Sequence, residues 1–298
     1  MIPHQATEER AAVRGGQVRV LRRTAAAPGR TPLVLVHGGG TDNAAISWHF
    51  AFSDFGDDRD VIAFDLPGFG ETANIDPLGG PAAMAEFTIE VLDALGLDRV
   101  LMAGVSMGGD VVLNVALLHP ERLAGIVLVA PGGLSPVLRG KAVQFSSWAA
   151  GKLPDAVLFG LSRMVTTQAE RMVRGIIHES STLPDAVLRE FVAEQQRPGA
   201  NVGYARYNQA TLGPWGMKND LRSRVHEIET PTLFFHGAED PMVCPQDSQV
   251  AAALMPDARI HLIPSCGHWA QLEKPTIFKN ALEGFFAEIE ARRTAQGS

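Results

Sequence analysis

Hydrophobic residues in this chain come in short dense runs rather than in alternating stripes. The runs lie at 32–40 (PLVLVHGGG), 59–70 (RDVIAFDLPGFG), 99–109 (RVLMAGVSMGG), 122–133 (RLAGIVLVAPGG), 230–241 (TPTLFFHGAEDP) and 258–268 (ARIHLIPSCGH). A strand that is apolar on both faces belongs to a parallel sheet covered on both sides. Residues 16–23 (GQVRVLRR) alternate instead, which predicts a half-exposed strand, and the polar first ten residues read as loose. Between the runs the spacing becomes helical. Met84, Phe87, Val91 and Leu95 mark a helix over 79–97 that ends at Gly96. Residues 108–120 stop before Pro120, and 275–293 form an amphipathic C-terminal helix. Strands alternating with helices predict βαβ units and a mostly parallel, doubly wound α/β sheet.

Residues 134–228 break this pattern. They hold helical segments (AVQFSSWAAGKL, DAVLFGLSRMV, PDAVLREFVAEQQ) divided by Pro154, Pro184 and Pro198. The expected organisation is a core in two parts, 1–133 and 229–298, with a mainly helical cap, or lid, at 134–228 inserted between core strands. The cap aromatics Phe145, Trp148, Phe159, Phe191 and Trp215 suit either the roof of an apolar pocket or the interface of a homo-oligomer.

Composition narrows the function. With 298 residues, 46% of them apolar and 20% charged, the chain can bury a large core. A formal net charge of −7 and no long basic run argue against a nucleic-acid partner. The apolar runs are too short to span a bilayer, no signal-peptide pattern opens the chain, and there are two cysteines, Cys244 and Cys266. The expectation is a cytoplasmic protein, with no membrane partner, acting on a small-molecule substrate. Neither HExxH, a CxxC pair nor a dinucleotide fingerprint occurs, so no metal and no cofactor is expected.

The chemistry concentrates at the ends of the apolar runs. Gly104-Val105-Ser106-Met107-Gly108 is a G-x-S-x-G pattern with a strand running in and a glycine-rich helix start running out. Small neighbours let strand and helix approach, so a serine on the tight turn stands clear of the backbone. A serine hydroxyl needs a base. His268 is the candidate among nine histidines because it follows the last strand and a glycine. Asp240, after the strand TLFFHG, is the candidate for orienting it, with Glu239 as its neighbour. The order Ser, Asp, His fits this fold, and residues 241–267 leave room for one helix and one strand. His37-Gly38-Gly39-Gly40 places glycines after a strand, where backbone N–H groups can face a developing oxyanion. One donor is assigned to Gly39 and the other to Met107.

HGGG at 37–40, D-x-P-G-x-G at 65–70, GVSMGG at 104–109, GAEDP at 237–241 and GHWAQLEKP at 267–275 resemble α/β-hydrolase motifs over nearly the whole chain. Asp65 and its glycines read as a structural turn. HGGG, APGGL at 130–134 and Cys266-Gly267-His268-Trp269-Ala270-Gln271 resemble most the meta-cleavage product hydrolases. These cleave a carbon–carbon bond in vinylogous diketones from aromatic-ring degradation. That resemblance implies that Trp269 lines the substrate pocket and that a cap arginine binds a carboxylate. Arg189 is the candidate, with Arg197 and Arg174 as rivals. Gly38 and Val105 are further candidates for substrate binding. The chain departs from the subfamily at Val105, where asparagine is usual, and in the loop TDNAAISWHF.

Three readings follow. The first is a serine hydrolase that cleaves an ester, thioester or lactone of a small apolar substrate through a Ser-His-Asp triad. The second is hydrolysis of the carbon–carbon bond of a meta-cleavage dienoate. The third is a non-hydrolytic tailoring enzyme or small-molecule receptor on the same fold.

Overall fold

The structure is a computed structural model that describes residues 1–26, 29–154 and 169–296. The helical segment expected at 155–165, with Phe159, lies outside the described residues. The strands are β1 (Thr7–Val13), β2 (Gly16–Arg23), β3 (Leu33–Val36), β4 (Val61–Phe64), β5 (Val100–Val105), β6 (Leu123–Val129), β7 (Thr232–Gly237) and β8 (Ala258–Ile263). They form one sheet in the order β1-β2-β4-β3-β5-β6-β7-β8. β1 pairs antiparallel with β2 and β2 antiparallel with β4. From β4 to β8 every pairing is parallel.

The dense apolar runs are explained by what covers each face. Val34, Val36, Val100 and Met102 join one core cluster. Their neighbours Leu33, Leu35, Leu101, Ala103 and Val105 join the other. Successive side chains point to opposite faces, and both faces are buried, so no position is left for a polar residue. On the first face Met84, Phe87, Val91 and Leu92 of the helix Pro81–Ala94 pack beside the helix Met107–Leu118. On the second, Phe278, Leu282, Phe285 and Phe286 of the helix Pro275–Gln296 pack.

One expectation at the N-terminus is corrected. The polar first residues are not loose throughout, because Thr7–Val13 forms β1, in register with Gly16–Arg22. Only Ala11 and Val13 of this edge strand are buried. Its other side chains face solvent or form ion pairs such as Arg10–Glu8 and Arg19–Glu8, so the run carries little hydrophobic signal.

Between β6 and β7 lie the helices Lys141–Ala150, Ala169–Ile176, Asp185–Gln196 and Val202–Thr211. This insert is tied to the core by buried polar contacts. Glu194 accepts hydrogen bonds from the Gly70 amide, the Asn43 side chain and Arg197, whose guanidinium also donates to the Gly68 carbonyl. Among the described residues no helix is long and apolar enough to cross a membrane.

Candidate active site

Ser106 stands between β5 and the helix Met107–Leu118 with φ 54° and ψ −119°. That backbone is costly for a residue with a Cβ, and the surroundings hold it. The Ser106 amide donates to the Val129 carbonyl, and the Ser106 carbonyl accepts from Gly109, Asp110 and Gly132. The glycines are there for space. A Cβ on Gly104 would overlap the Gly108 carbonyl, and one on Gly108 would overlap the carbonyls of Val36 and His37.

Asp240 follows β7, and its side chain is buried. Its Oδ2 lies 2.7 Å from His268 Nδ1, and its Oδ1 accepts the amides of Met242 (2.7 Å) and Val243 (3.0 Å). Burial opposes the charge, but hydrogen bonds from His236 and His268 prevail and hold the carboxyl well below the usual range. The adjacent Glu239 takes another partner, accepting the Cys266 amide at 3.0 Å. The loop bearing His268 is fixed from both sides. The His268 amide donates to the Ile176 carbonyl of the insert (2.8 Å), and the Gly267 amide donates to Glu273 (2.8 Å). Burial also pushes the Cys266 thiol up to about 12, so it stays neutral.

Ser106, Met107, Asp240 and His268 line one cavity of about 1110 Å³, whose remaining wall comes largely from the insert. Met107 is the first residue of its helix, where an N–H has no intrahelical acceptor. The Gly38–Gly39 peptide is set by His37. Leu66 N–H donates to His37 Nε2 (3.0 Å), so His37 carries its hydrogen on Nδ1 and donates it to the Gly38 carbonyl (2.7 Å). Burial lowers the His37 pKa, which keeps that neutral form. In a trans peptide the Gly39 N–H points opposite to the Gly38 C=O, hence away from His37. A Cβ on Gly39 would strike the Tyr204 ring and approach Met107 Cβ at 3.3 Å, so Gly39 lies against both.

The other expected site residues, Gly38, Val105, Trp269 and Arg189, do not line the cavity. The Gly38 amide is spent on Asp42 Oδ2 (3.0 Å). Val105 is fully buried in the core. Trp269 packs edge-on against Phe191, ring centroids 6.1 Å apart, in the core beneath the insert. Arg189 is exposed on the helix Asp185–Gln196, Arg174 is exposed on its own helix, and Arg197 is paired with Glu194. Asp65 accepts the amides of Ala44 and Glu71, as a structural turn does.

Four residues near the site were missed in the sequence. Arg139 lines the cavity and donates to the Pro241 carbonyl (3.0 Å) and to Met242 Sδ (2.9 Å). Tyr204 and Tyr207, stacked at 5.9 Å, and Asn219 line it too. Tyr207 Oη and Asn219 Nδ2 both donate to the buried Asp110, at 2.7 Å and 2.5 Å. A signal existed for the tyrosines: they are the chain's only two and stand three apart, on one helical face.

The model of the alpha/beta hydrolase fold family matches residues 31–275, and the chain belongs to this family; it is a hydrolase. A 2-hydroxymuconate semialdehyde hydrolase of Pseudomonas putida is 30% identical over 270 residues, which is 87% of this chain and 88% of that protein. A 2-hydroxy-6-oxo-6-phenylhexa-2,4-dienoate hydrolase of Burkholderia cepacia is 29% identical over 269 residues, 86% of this chain and 87% of that protein. Among solved structures, a meta-cleavage product hydrolase of Pseudomonas fluorescens superposes with a TM-score of 0.76 at 21% identity, over 94% of this chain and 97% of that one. At that identity the likeness is one of fold.

Proposed function

We propose that this chain is a serine hydrolase that cleaves a neutral ester, thioester or lactone through Ser106, His268 and Asp240. One observation carries the reading: the Asp240–His268 pair, 2.7 Å apart, opens onto the same cavity as the strained Ser106. His268 takes the Ser106 hydroxyl proton on Nε2, the nitrogen that Asp240 leaves free. Oγ attacks the carbonyl, and the amides of Gly39 and Met107 receive the oxyanion. The tetrahedral intermediate collapses, His268 returns the proton to the leaving oxygen or sulfur, and an acyl-enzyme remains. Water, deprotonated by the same imidazole, then releases the acid. The insert at 134–228 acts as a lid over this centre, because side chains from its described residues form much of the cavity wall.

A neutral substrate is favoured by the charges around the cavity. Among the described residues its one cationic side chain is Arg139, already engaged with Pro241 and Met242, whereas Asp240 and Asp247 bring carboxylates to it. A dienoate carboxylate would enter without a dedicated partner.

The names of the curated relatives favour a second reading, carbon–carbon hydrolysis of a meta-cleavage dienoate. There the substrate must gain a proton on carbon before Ser106 or water adds to the resulting ketone. The two readings separate by comparing kcat/KM for a short p-nitrophenyl ester with that for a meta-cleavage dienoate, using Ser106→Ala as the blank. Ester turnover with an inert dienoate supports the first reading. Faster loss of the dienoate replaces it with the second. Wild-type turnover by Ser106→Ala would overturn both.

A further inference from the structure

The carboxylate of Asp240 carries two imidazoles. His236, in β7, is fully buried, and its Nε2 lies 3.1 Å from Asp240 Oδ2, the same oxygen that faces His268. The Val243 carbonyl stands 3.3 Å from that nitrogen as well. On the other side of the ring, Nδ1 lies 2.8 Å from the hydroxyl of Ser248, itself fully buried in the helix Pro245–Leu254. Two acceptors meet at Nε2, so Nε2 bears the hydrogen. Nδ1 then accepts the Ser248 hydroxyl, as a neutral ring requires. The hydrolytic cycle uses His268 and leaves this second ring without a task.

We propose that His236 is a positioning residue for the triad: its Nε2–H, fixed by Ser248, pins Oδ2 of Asp240 where it orients His268. The inference rests on the Ser106–His268–Asp240 reading above. The carboxylate then has four N–H donors, two backbone amides on Oδ1 and two imidazoles on Oδ2. With all four in place its plane is fixed. Without His236, only His268 loads Oδ2, and the carboxylate can turn about its Cβ–Cγ bond. Orientation of the base suffers, so kcat falls while substrate binding does not.

A second effect is electrostatic. Oδ2 divides its charge between two donors. Removing one of them leaves more of that charge to the bond with His268 and alters its strength. The other titratable groups packed around this pair are Glu239 on the Cys266 amide, the Cys266 thiol, Glu273 on the Gly267 amide, and Asp247 bound by Ser135. None of them touches His236.

The test compares His236→Leu, which loses the donor, with His236→Gln, which keeps an N–H near the Nε2 position. Each is assayed with a short p-nitrophenyl ester from pH 5 to 9 beside wild type and Ser106→Ala. The expected result is a kcat loss of about 10- to 100-fold for His236→Leu with KM nearly unchanged. His236→Gln recovers most of the rate. Full activity in a folded His236→Leu overturns the proposal, as does a His236→Gln variant as impaired as His236→Leu. Should His236→Leu not fold, imidazole ¹⁵N spectra of the wild-type protein decide. Neutral His236 with its hydrogen on Nε2 supports the proposal, and hydrogen on Nδ1 overturns it. If Ser106→Ala itself turns over ester, the triad reading falls instead.

Discussion

Asp110 and Tyr207 meet at 2.7 Å, and this contact joins the helix that begins after Ser106 to a helix of the insert that lines the cavity. Asn219, also from the insert, and Asn114, one turn along the core helix, donate to the same carboxyl. Burial pushes Asp110 up to about 7 despite these three donors. An acid whose pKa is higher folded than unfolded binds its proton more tightly in the folded state. Its contribution is therefore complete below about pH 4 and lost as pH rises to about 7. Asp42, buried beneath Gly38 and also pushed up to about 7, acts in the same direction. Asp240, held low, acts in the opposite one. The useful quantity is the difference between variants. Asp110→Asn should flatten the fall in unfolding free energy between pH 4 and 7 relative to wild type, measured by urea denaturation at several pH values. An unchanged slope would mean that Asp110 is already ionised at pH 4.

Gly108→Ala should be among the most damaging single-methyl changes in the chain. The added carbon runs into the carbonyls of β3 and the residue after it, and backbone cannot swing aside. We expect a loss of more than about 3 kcal/mol or no soluble protein, read by thermal melting and expression yield. Gly175→Ala, with nothing near the new methyl, is the control and should melt like wild type.

Trp269 should behave as a packing residue. Trp269→Ala is expected to cost about 3–5 kcal/mol in stability, because the ring fills the space between Phe191 and the core. If it instead changes KM with an unaltered melting temperature, the tryptophan reaches substrate in a way its burial does not suggest.

The arginines give a cleaner distinction. Arg189→Ala should leave kcat/KM within about twofold for any substrate, since an exposed side chain outside the cavity contributes little. Arg139→Ala should likewise spare kcat/KM for a neutral ester, because its guanidinium is engaged with Pro241 and Met242. A several-fold rise in KM for that ester would show that Arg139 touches the substrate.

The parallel strands were legible because burial on both faces forces continuous apolar runs, and the elbow was legible because its glycines answer a steric need stated locally. β1 was not, since an edge strand with two buried side chains carries no such run. Pairings across the chain were also hidden. Nothing near Asp240 in sequence says that His236, one strand-end earlier, turns its ring onto the same carboxylate oxygen. Nor does any local pattern place Tyr207 on Asp110. The assignment of Trp269 and Arg189 to the pocket came from motif likeness alone, and their positions depend on how the insert docks. Glu194 and Arg197 determine that docking through long-range contacts.

The order of β5, β7 and β8 along the chain has a consequence for biosynthesis. The ribosome delivers Ser106 with its elbow first, then the whole insert, and only afterwards the strands that carry Asp240 and His268. On the triad proposed above, Ser106 therefore stays without its acid and base until β7 and then β8 have joined the sheet. On that reading reactivity comes late in synthesis, after the insert has been translated.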